Sequence, residues 1–192
     1  MEVLLAIGTG MGLSSIAGVR AYLPLALVGL FARLGFFELP FPFNLLDDWL
    51  FIGVLLALAL LESVLDKISA LDSILNLAQI PIRIFAGAVL FAIALGEGLG
   101  IGGIPELVSG AVIAGTVTIL KTSLRPPANA ASVGVSVSFL SFFEDVVTLI
   151  GGMIAVFVPL VPLVLVAFLL FFFYRVSRRR GRKYGGLRIL GN

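Results

Sequence analysis

The sequence of 192 residues contains neither cysteine nor histidine. The lack of cysteine excludes disulfide bonds and thiol nucleophiles, and the lack of histidine excludes imidazole acid–base chemistry and zinc sites of the HExxH type. The sequence also lacks a nucleophile elbow of the G-x-S-x-G type and a P-loop lysine motif. An enzyme is therefore not predicted, and the sequence indicates no catalytic residue, no cofactor and no defined metal site.

Charged residues are scarce as well. They make up 12% of the chain, whereas soluble globular proteins carry about 25%. Hydrophobic residues make up 60% of the chain, and the mean hydropathy is +1.17. Since long apolar runs recur from one end to the other, the composition predicts an all-α, polytopic membrane protein that forms a single transmembrane domain over residues 1–192.

Proline, glycine and charged residues divide the apolar sequence into about six predicted spans. The predicted spans are Val3–Leu34, Trp49–Ile68, Ile80–Leu95, Ile104–Leu120, Val133–Ile150 and Met153–Tyr174. Little more than Gly151 and Gly152 separates the last two, which predicts a tight helical hairpin at these glycines.

The distribution of lysine and arginine predicts the orientation. The tail, residues 175–192, holds seven of these residues, whereas the loops at 35–48 and 96–105 are acidic. The positive-inside rule therefore places both termini in the cytoplasm and these two loops outside. We expect the tail to bind anionic lipid headgroups rather than nucleic acid. The sequence leaves open whether the protein forms a homo-oligomer.

The first predicted span is too long for one upright helix. Its 32 residues would extend about 48 Å as an α-helix, and the hydrocarbon core is about 30 Å thick. The span would therefore either tilt strongly or break. The stretch GTGMGLSS at 8–15 is the predicted site of a break, because glycine tolerates non-helical backbone and serine can satisfy freed backbone groups. An open alternative is close helix packing, since Gly8 and Gly12 form a small-xxx-small pair.

Two pairs of short segments suggest an internal repeat. IAGVRAY at 16–22 resembles IAGTVTI at 113–119, and LLESVLDKI at 60–68 resembles FFEDVVTLI at 142–150. The two halves, residues 3–95 and 104–174, would each hold three spans, so the second would lie inverted relative to the first. The sequence thus predicts a 3+3 inverted repeat, an arrangement common in transporters that bind substrate where the repeats meet.

Four motifs resemble a known family. GVRAYLPL, DKISALDS, IRIFAGA and RPPANA occur in this order over most of the chain. They are similar to a bacterial family of small membrane proteins catalogued as domain of unknown function 4126. The resemblance implies a multi-pass fold in the bacterial inner membrane and implies no particular activity.

Charged residues inside the predicted spans are the candidate functional residues. In a helical fifth span, six mostly polar residues fall within an arc of about 120°: Gly134, Ser138, Ser141, Glu144, Asp145 and Thr148. In the second span Glu62 and Asp66 share a face, and Arg20 follows the expected break in the first span. The predicted substrate- and ion-binding residues are Arg20, Glu62, Asp66, Ser138, Ser141, Glu144 and Asp145.

Arg20 is the only base among these candidates, against at least three carboxylates. Stability alone is a weak explanation for so many buried charges, because apolar side chains in place of a buried ion pair are often more stabilising. Up to two carboxylates would need a bound cation, a proton, or pairing with Lys67 or Arg83 near the cytoplasmic side. The first two of these options are the chemistry of transport.

The sequence therefore favours an ion- or proton-coupled transporter or channel for a small solute. In this interpretation Asp145 faces a cavity at the middle of the membrane, shared with Glu62, while Glu144 pairs with Arg20. Two alternatives remain open at this point. The protein could be a lipid or lipid-phosphate translocator, or a non-transporting assembly subunit of a membrane complex.

Overall fold

The computed structural model describes residues 2–65, 69–99, 103–124, 137–168 and 171. All regular elements in these ranges are helical, which confirms the predicted all-α class. The elements are α1 (Glu2–Ala17), α2 (Tyr22–Arg33), a short 3-10 helix (Phe43–Asp47), α3 (Trp49–Leu65), α4 (Ser69–Leu99), α5 (Ile104–Leu124), α6 (Val137–Phe157) and α7 (Leu160–Phe168).

Within the described residues, two helices are long and apolar enough to cross a membrane. They are Leu77–Gly96 in α4 and Ile104–Ser123 in α5. Ser141–Phe157 and Leu160–Phe168 form a bent pair that makes a third candidate when the two helices are taken together. Helices α1, α2 and α3 are apolar but shorter. This composition fits a helical membrane protein.

The buried core forms around α1, which packs against α4, α5 and α6. Leu13 and Ala17 of α1 meet Leu90 and Ile93 of α4 and Ala155 of α6 in one apolar cluster. Most of the buried residues of α1 are small, among them Gly8, Gly12 and Ser14, so the helices can approach closely. In a membrane, where lipid is as apolar as the core, close van der Waals packing of this kind drives helix association.

The glycines of α1 serve this packing. A Cβ at Gly12 would lie 2.7 Å from the Cβ of Ala155, and one at Gly8 would collide with the carbonyl oxygen of Pro159. The stretch 8–15 is helical throughout. The predicted break at 8–15 is therefore wrong, and the packing alternative is right for these residues.

The first predicted span is interrupted further along, between α1 and α2, at residues 18–21. Pro24 explains the position, because a continuous helix would bring its ring against the carbonyl group of Arg20 and would lack one hydrogen bond there. Proline is tolerated in the first turn of a new helix, and Pro24 lies in the first turn of α2.

Side chains of α5 satisfy carbonyl groups that this break leaves without helical partners. The Oγ1 atom of Thr118 donates a hydrogen bond of 3.0 Å to the carbonyl oxygen of Gly18. The Nζ atom of Lys121 donates one of 2.8 Å to the carbonyl oxygen of Val19. Irregular backbone is thus buried against protein, as a membrane environment requires.

The predicted hairpin at Gly151 and Gly152 is also wrong. Helix α6 runs through both glycines to Phe157, and α7 begins at Leu160 after a bend of 112°. Pro159 marks the bend, since it has no N–H group to continue the helix. The two glycines instead allow α6 to approach its neighbours, Gly151 facing Ile16 of α1 and Gly152 facing Leu27 of α2.

The remaining predicted spans agree better with the structure. The second begins at Trp49 and the fourth at Ile104, as expected, and the fourth continues to Leu124. The third is part of a longer helix, because α4 is already helical at Ser69. The segment 69–79, which separates the second and third predicted spans, is therefore helical.

Candidate functional site

Arg20 lies in the break between α1 and α2, and only 1% of the residue is exposed. Its Nε atom is 2.9 Å from Oδ1 of Asp145 in α6. Its Nη1 atom donates a hydrogen bond of 3.4 Å to Oγ of Ser63 in α3, and Nη2 donates to Oγ of Ser141 at 3.0 Å and to the carbonyl oxygen of Ser141 at 3.2 Å. One guanidinium group therefore joins the break to two helices.

Asp145 is the more accessible member of this ion pair, with 25% of its side chain exposed. The Oγ atom of Ser63 donates a hydrogen bond of 2.9 Å to Oδ1 of Asp145. Both contacts that fix the carboxylate, to Arg20 and to Ser63, are thus made by the same oxygen atom. The second oxygen, Oδ2, remains available to a group that approaches from outside the pair.

Glu144 points in a different direction from Asp145, because consecutive helical residues project about 100° apart. Its Oε2 atom is 2.8 Å from Nζ of Lys121 in α5. The expected pair of Glu144 with Arg20 is therefore wrong, and Asp145 holds Arg20 instead. The reason is the length of α5, which continues past Leu120 and brings Lys121 into the helix bundle.

Glu62 pairs with a third base. Its Oε1 atom is 3.5 Å from Nη2 of Arg83 in α4, and both side chains are buried. Arg83 also donates a short hydrogen bond to the buried side chain of Gln79. From the sequence, a pair between a carboxylate and Arg83 was one of the open alternatives. The arginine was expected near the cytoplasmic side, however, and not in a buried contact.

The carboxylates of the described site therefore do not share one base. Each has its own cation, and these pairs join α3 to α4, α5 to α6, and the break to α6. The expected excess of negative charge is not present among the described residues. Lys121, Ser63 and Gln79 are the contributors that the sequence did not single out; their signal was a polar side chain inside an otherwise apolar helix.

Three predicted site residues remain to be placed. Ser141 is buried and holds Arg20 through both its hydroxyl and its carbonyl group. Ser138 belongs to α6, but its side chain lies outside the described part of the chain, and Asp66 lies outside the described residues altogether. No group of at least three acidic side chains in the described ranges is arranged to hold a metal ion.

A groove of about 440 Å³ runs between α2, α3 and α6, with the Arg20–Asp145 pair and Ser63 in its wall. The other described residues that line it are apolar: Leu23, Leu56, Ala59, Leu60, Phe142, Val146 and Leu149. Leu60 is 69% exposed and Phe142 59% exposed, so the groove reaches the apolar outer surface of the protein. The groove thus brings Asp145 together with Arg20, whereas Glu62, which was expected to share a cavity with Asp145, does not line it, and neither does Glu144.

The size and lining of the groove are those of a ligand site. Small-molecule pockets typically measure about 300–1,000 Å³, and they combine apolar walls with a few polar groups that fix orientation. Here the polar groups lie together at one place, and the apolar walls lead from them to the outer surface. Such a site can accept a molecule with one polar end and an apolar body.

Comparison of the chain with curated proteins and with solved structures gives no match. A family profile, described as Domain of unknown function (DUF4126), matches residues 7–179. The match includes all the described residues of the ion pairs and of the groove, and it agrees with the motifs noted in the sequence. The chain therefore belongs to the DUF4126 family.

Proposed function

We propose that this protein is a small membrane transporter that carries an amphipathic solute in the groove between α3 and α6. The observation that carries the proposal is a partly exposed, ion-paired carboxylate, Asp145, in the wall of an otherwise apolar groove. A polar group that enters an apolar layer costs several kcal/mol unless it finds a partner there. The Arg20–Asp145 pair and Ser63 offer such partners, while the apolar walls accept the rest of the solute.

The charge pattern favours a site for the substrate's polar group over a site for a separate coupling ion. A coupling cation or proton was expected because several carboxylates seemed to lack bases. In the structure Glu62 pairs with Arg83 and Glu144 with Lys121, so their charges are already matched. Among the described carboxylates, Asp145 is the one that lines the groove, and it is more exposed there than Arg20, which makes it the residue on which transport would depend.

We further propose that six segments cross the bacterial inner membrane, with both termini in the cytoplasm and the basic tail on anionic lipid. The charge distribution of the sequence supports this topology. In this arrangement α1 and α2 form one broken span, and α6 and α7 begin the fifth and sixth spans.

A 3+3 inverted repeat is also proposed. It aligns Glu62 with Glu144, and each of these buried carboxylates pairs with a base of another helix, Arg83 in α4 and Lys121 in α5. The break at 18–21 is not part of the repeat, because the corresponding segment at 113–119 lies inside the continuous helix α5.

Flux into liposomes tests the transport proposal. Purified protein is reconstituted, and the entry of three fluorescent probes is followed: ethidium as an organic cation, anilinonaphthalene sulfonate as an organic anion, and a labelled phosphatidylcholine as a zwitterionic lipid. We expect at least one probe to move faster than through protein-free liposomes. The substitution Leu60→Trp, which fills the groove from its exposed rim, should remove that excess, whereas Glu38→Gln at an exposed loop position should not.

The assembly-subunit alternative gives a different result in the same assay. If no probe moves faster than through empty liposomes, or if Leu60→Trp has no effect on a probe that does move, the groove is not a transport path. The transport proposal would then be wrong.

A further inference from the structure

We propose that the groove selects lipophilic organic cations, whose positive charge is recognised by the Asp145 carboxylate. This inference rests on the proposed function and adds the chemical class of its substrate. It follows from the accessibility of the two charges, from the oxygen atom that remains available, and from the composition of the walls.

The first step concerns which charge a ligand can reach. Arg20 is 1% exposed, and its donors are directed at Asp145, Ser63 and Ser141. The side chain of Asp145 is 25% exposed and lines the groove. Both side chains line the groove, but Asp145 offers it far more surface than Arg20 does, so a ligand meets chiefly the negative member of the pair.

The second step concerns the atom that makes the contact. Oδ1 of Asp145 accepts the hydrogen bond from Ser63 and faces Nε of Arg20. Both interactions are made by Oδ1 and orient the carboxylate, so among the described contacts Oδ2 is the oxygen left to accept from a ligand. A preoriented carboxylate oxygen is a partner for an ammonium group or another organic cation, and it repels an anion.

The third step concerns the walls. Phe142 lies beside Asp145 in the lining, and the face of an aromatic ring attracts cations. Apart from Phe142, the apolar residues described in the wall are aliphatic, among them Leu56, Leu60 and Leu149. A small inorganic ion has no apolar surface to bury against such walls, whereas a cation with a large apolar body buries that body against them. A volume of about 440 Å³ suits a small organic molecule rather than a whole lipid.

Two probes of the same shape and opposite charge test this selectivity. Tetraphenylphosphonium is the cation and tetraphenylborate the anion, and saturable binding of each to the full chain is measured by equilibrium dialysis in an uncharged detergent. We expect tetraphenylphosphonium to bind at least roughly tenfold more tightly than tetraphenylborate. Equal binding of the two probes, or tighter binding of the anion, would overturn the inference.

Substitutions locate the site. Asp145→Asn keeps the shape of the side chain and should weaken tetraphenylphosphonium binding roughly tenfold or more, because it removes a charged partner of the cation. Glu38→Gln removes an exposed carboxylate outside the groove and should leave binding unchanged. Binding that is insensitive to Asp145→Asn would contradict the assignment.

Two further variants distinguish loss of the binding site from a folding defect. They are needed because Asp145→Asn also removes the carboxylate next to Arg20. Arg20→Gln/Asp145→Asn removes both charges together, and Leu60→Trp narrows the groove without touching the ion pair. Both variants should elute as the parent does in size-exclusion chromatography and should lose tetraphenylphosphonium binding. Retained binding in either folded variant would overturn the inference.

Flux and binding together separate this inference from the proposed function. If the anionic or the lipid probe is carried while tetraphenylphosphonium does not bind, the transport proposal is supported and the proposed cation specificity is wrong. If tetraphenylphosphonium binds at Asp145 but no probe is carried, the proposed cation site is supported and the transport proposal is wrong.

Discussion

The Nζ atom of Lys121 lies 2.8 Å from Oε2 of Glu144, in a contact that joins α5 to α6. The same ammonium group donates a hydrogen bond of 2.8 Å to the carbonyl oxygen of Val19 in the break between α1 and α2. One side chain therefore holds together the interrupted first span, the fourth predicted span and the helix that carries Asp145. Both charged side chains are largely buried, so water contributes little to their stabilisation.

Loss of Lys121 is expected to destabilise the protein strongly. Lys121→Met leaves Glu144 without its base and the carbonyl group of Val19 without its donor, and removal of one partner of a buried pair typically costs about 3–5 kcal/mol. The double variant Lys121→Met/Glu144→Gln should recover part of this loss, since no unpaired charge remains. Thermal unfolding in detergent measures both. A single variant as stable as the parent would contradict the structural role of the pair.

The two neighbouring carboxylates should differ in their effect on stability. Glu144→Gln removes the buried partner of Lys121, whereas Asp145→Asn changes a more exposed group and retains an oxygen that can accept the hydrogen bond from Ser63. We expect the Glu144 variant to unfold at the lower temperature, and the Asp145 variant to lose flux of the transported probe while it remains folded. The reverse order of unfolding temperatures would show that the assigned roles are wrong.

Close packing at α1 predicts a contrast between two glycine substitutions. A Cβ at Gly8 would collide with the backbone of Pro159, so Gly8→Ala should cost about 1–3 kcal/mol. Gly53 lies in α3 with nothing near the position of a Cβ, so Gly53→Ala should leave the protein as stable or stabilise it by about 0.5–1 kcal/mol. Unfolding temperatures that fail to separate the two variants would contradict the observed approach of α1 to Pro159.

The proposed topology can be tested by labelling, because the chain has no cysteine of its own. A cysteine at Asn44, an exposed position of the 3-10 helix, should react with a membrane-impermeant maleimide added to intact cells. A cysteine at Ser177 in the basic tail should react only after the membrane is opened. Labelling of the Asn44 variant only in opened cells would refute the topology.

Hydrophobic pattern and composition were sufficient to predict the helical class and several helix starts. Trp49 and Ile104 follow proline- or glycine-rich segments, and both begin helices in the structure. Interruptions within the helices were harder to place, because glycine supports both a break and close packing. Pro24 and Pro159 lie at the two interruptions described above, while the glycines at 8–12 and 151–152 remain helical. Proline alone is not a sufficient signal either, because Pro81 lies inside the continuous helix α4.

The sequence also located the polar face of α6 but not the partners of its carboxylates. Helical periodicity predicted that Glu144 and Asp145 point to different neighbours, and they do. Which base each one meets depends on the relative depth of α4, α5 and the break, and this is set by tertiary packing rather than by local pattern. For that reason Arg83, which was expected near the cytoplasmic side, and Lys121, which follows the end of the fourth predicted span, proved to be buried partners.

The central claim is that the groove between α3 and α6 is the path of the solute, and reversible blockage of one groove residue tests it most directly. In the cysteine-free chain, Leu60→Cys is modified in detergent with benzyl methanethiosulfonate and reconstituted, and flux of the transported probe is measured before and after reduction with dithiothreitol. The same treatment of Val164→Cys, at an exposed position of α7 outside the groove lining, is the control. We predict that modification at Leu60 stops flux, that reduction restores it, and that neither step affects the Val164 variant. Unchanged flux through the modified Leu60 variant would contradict the claim.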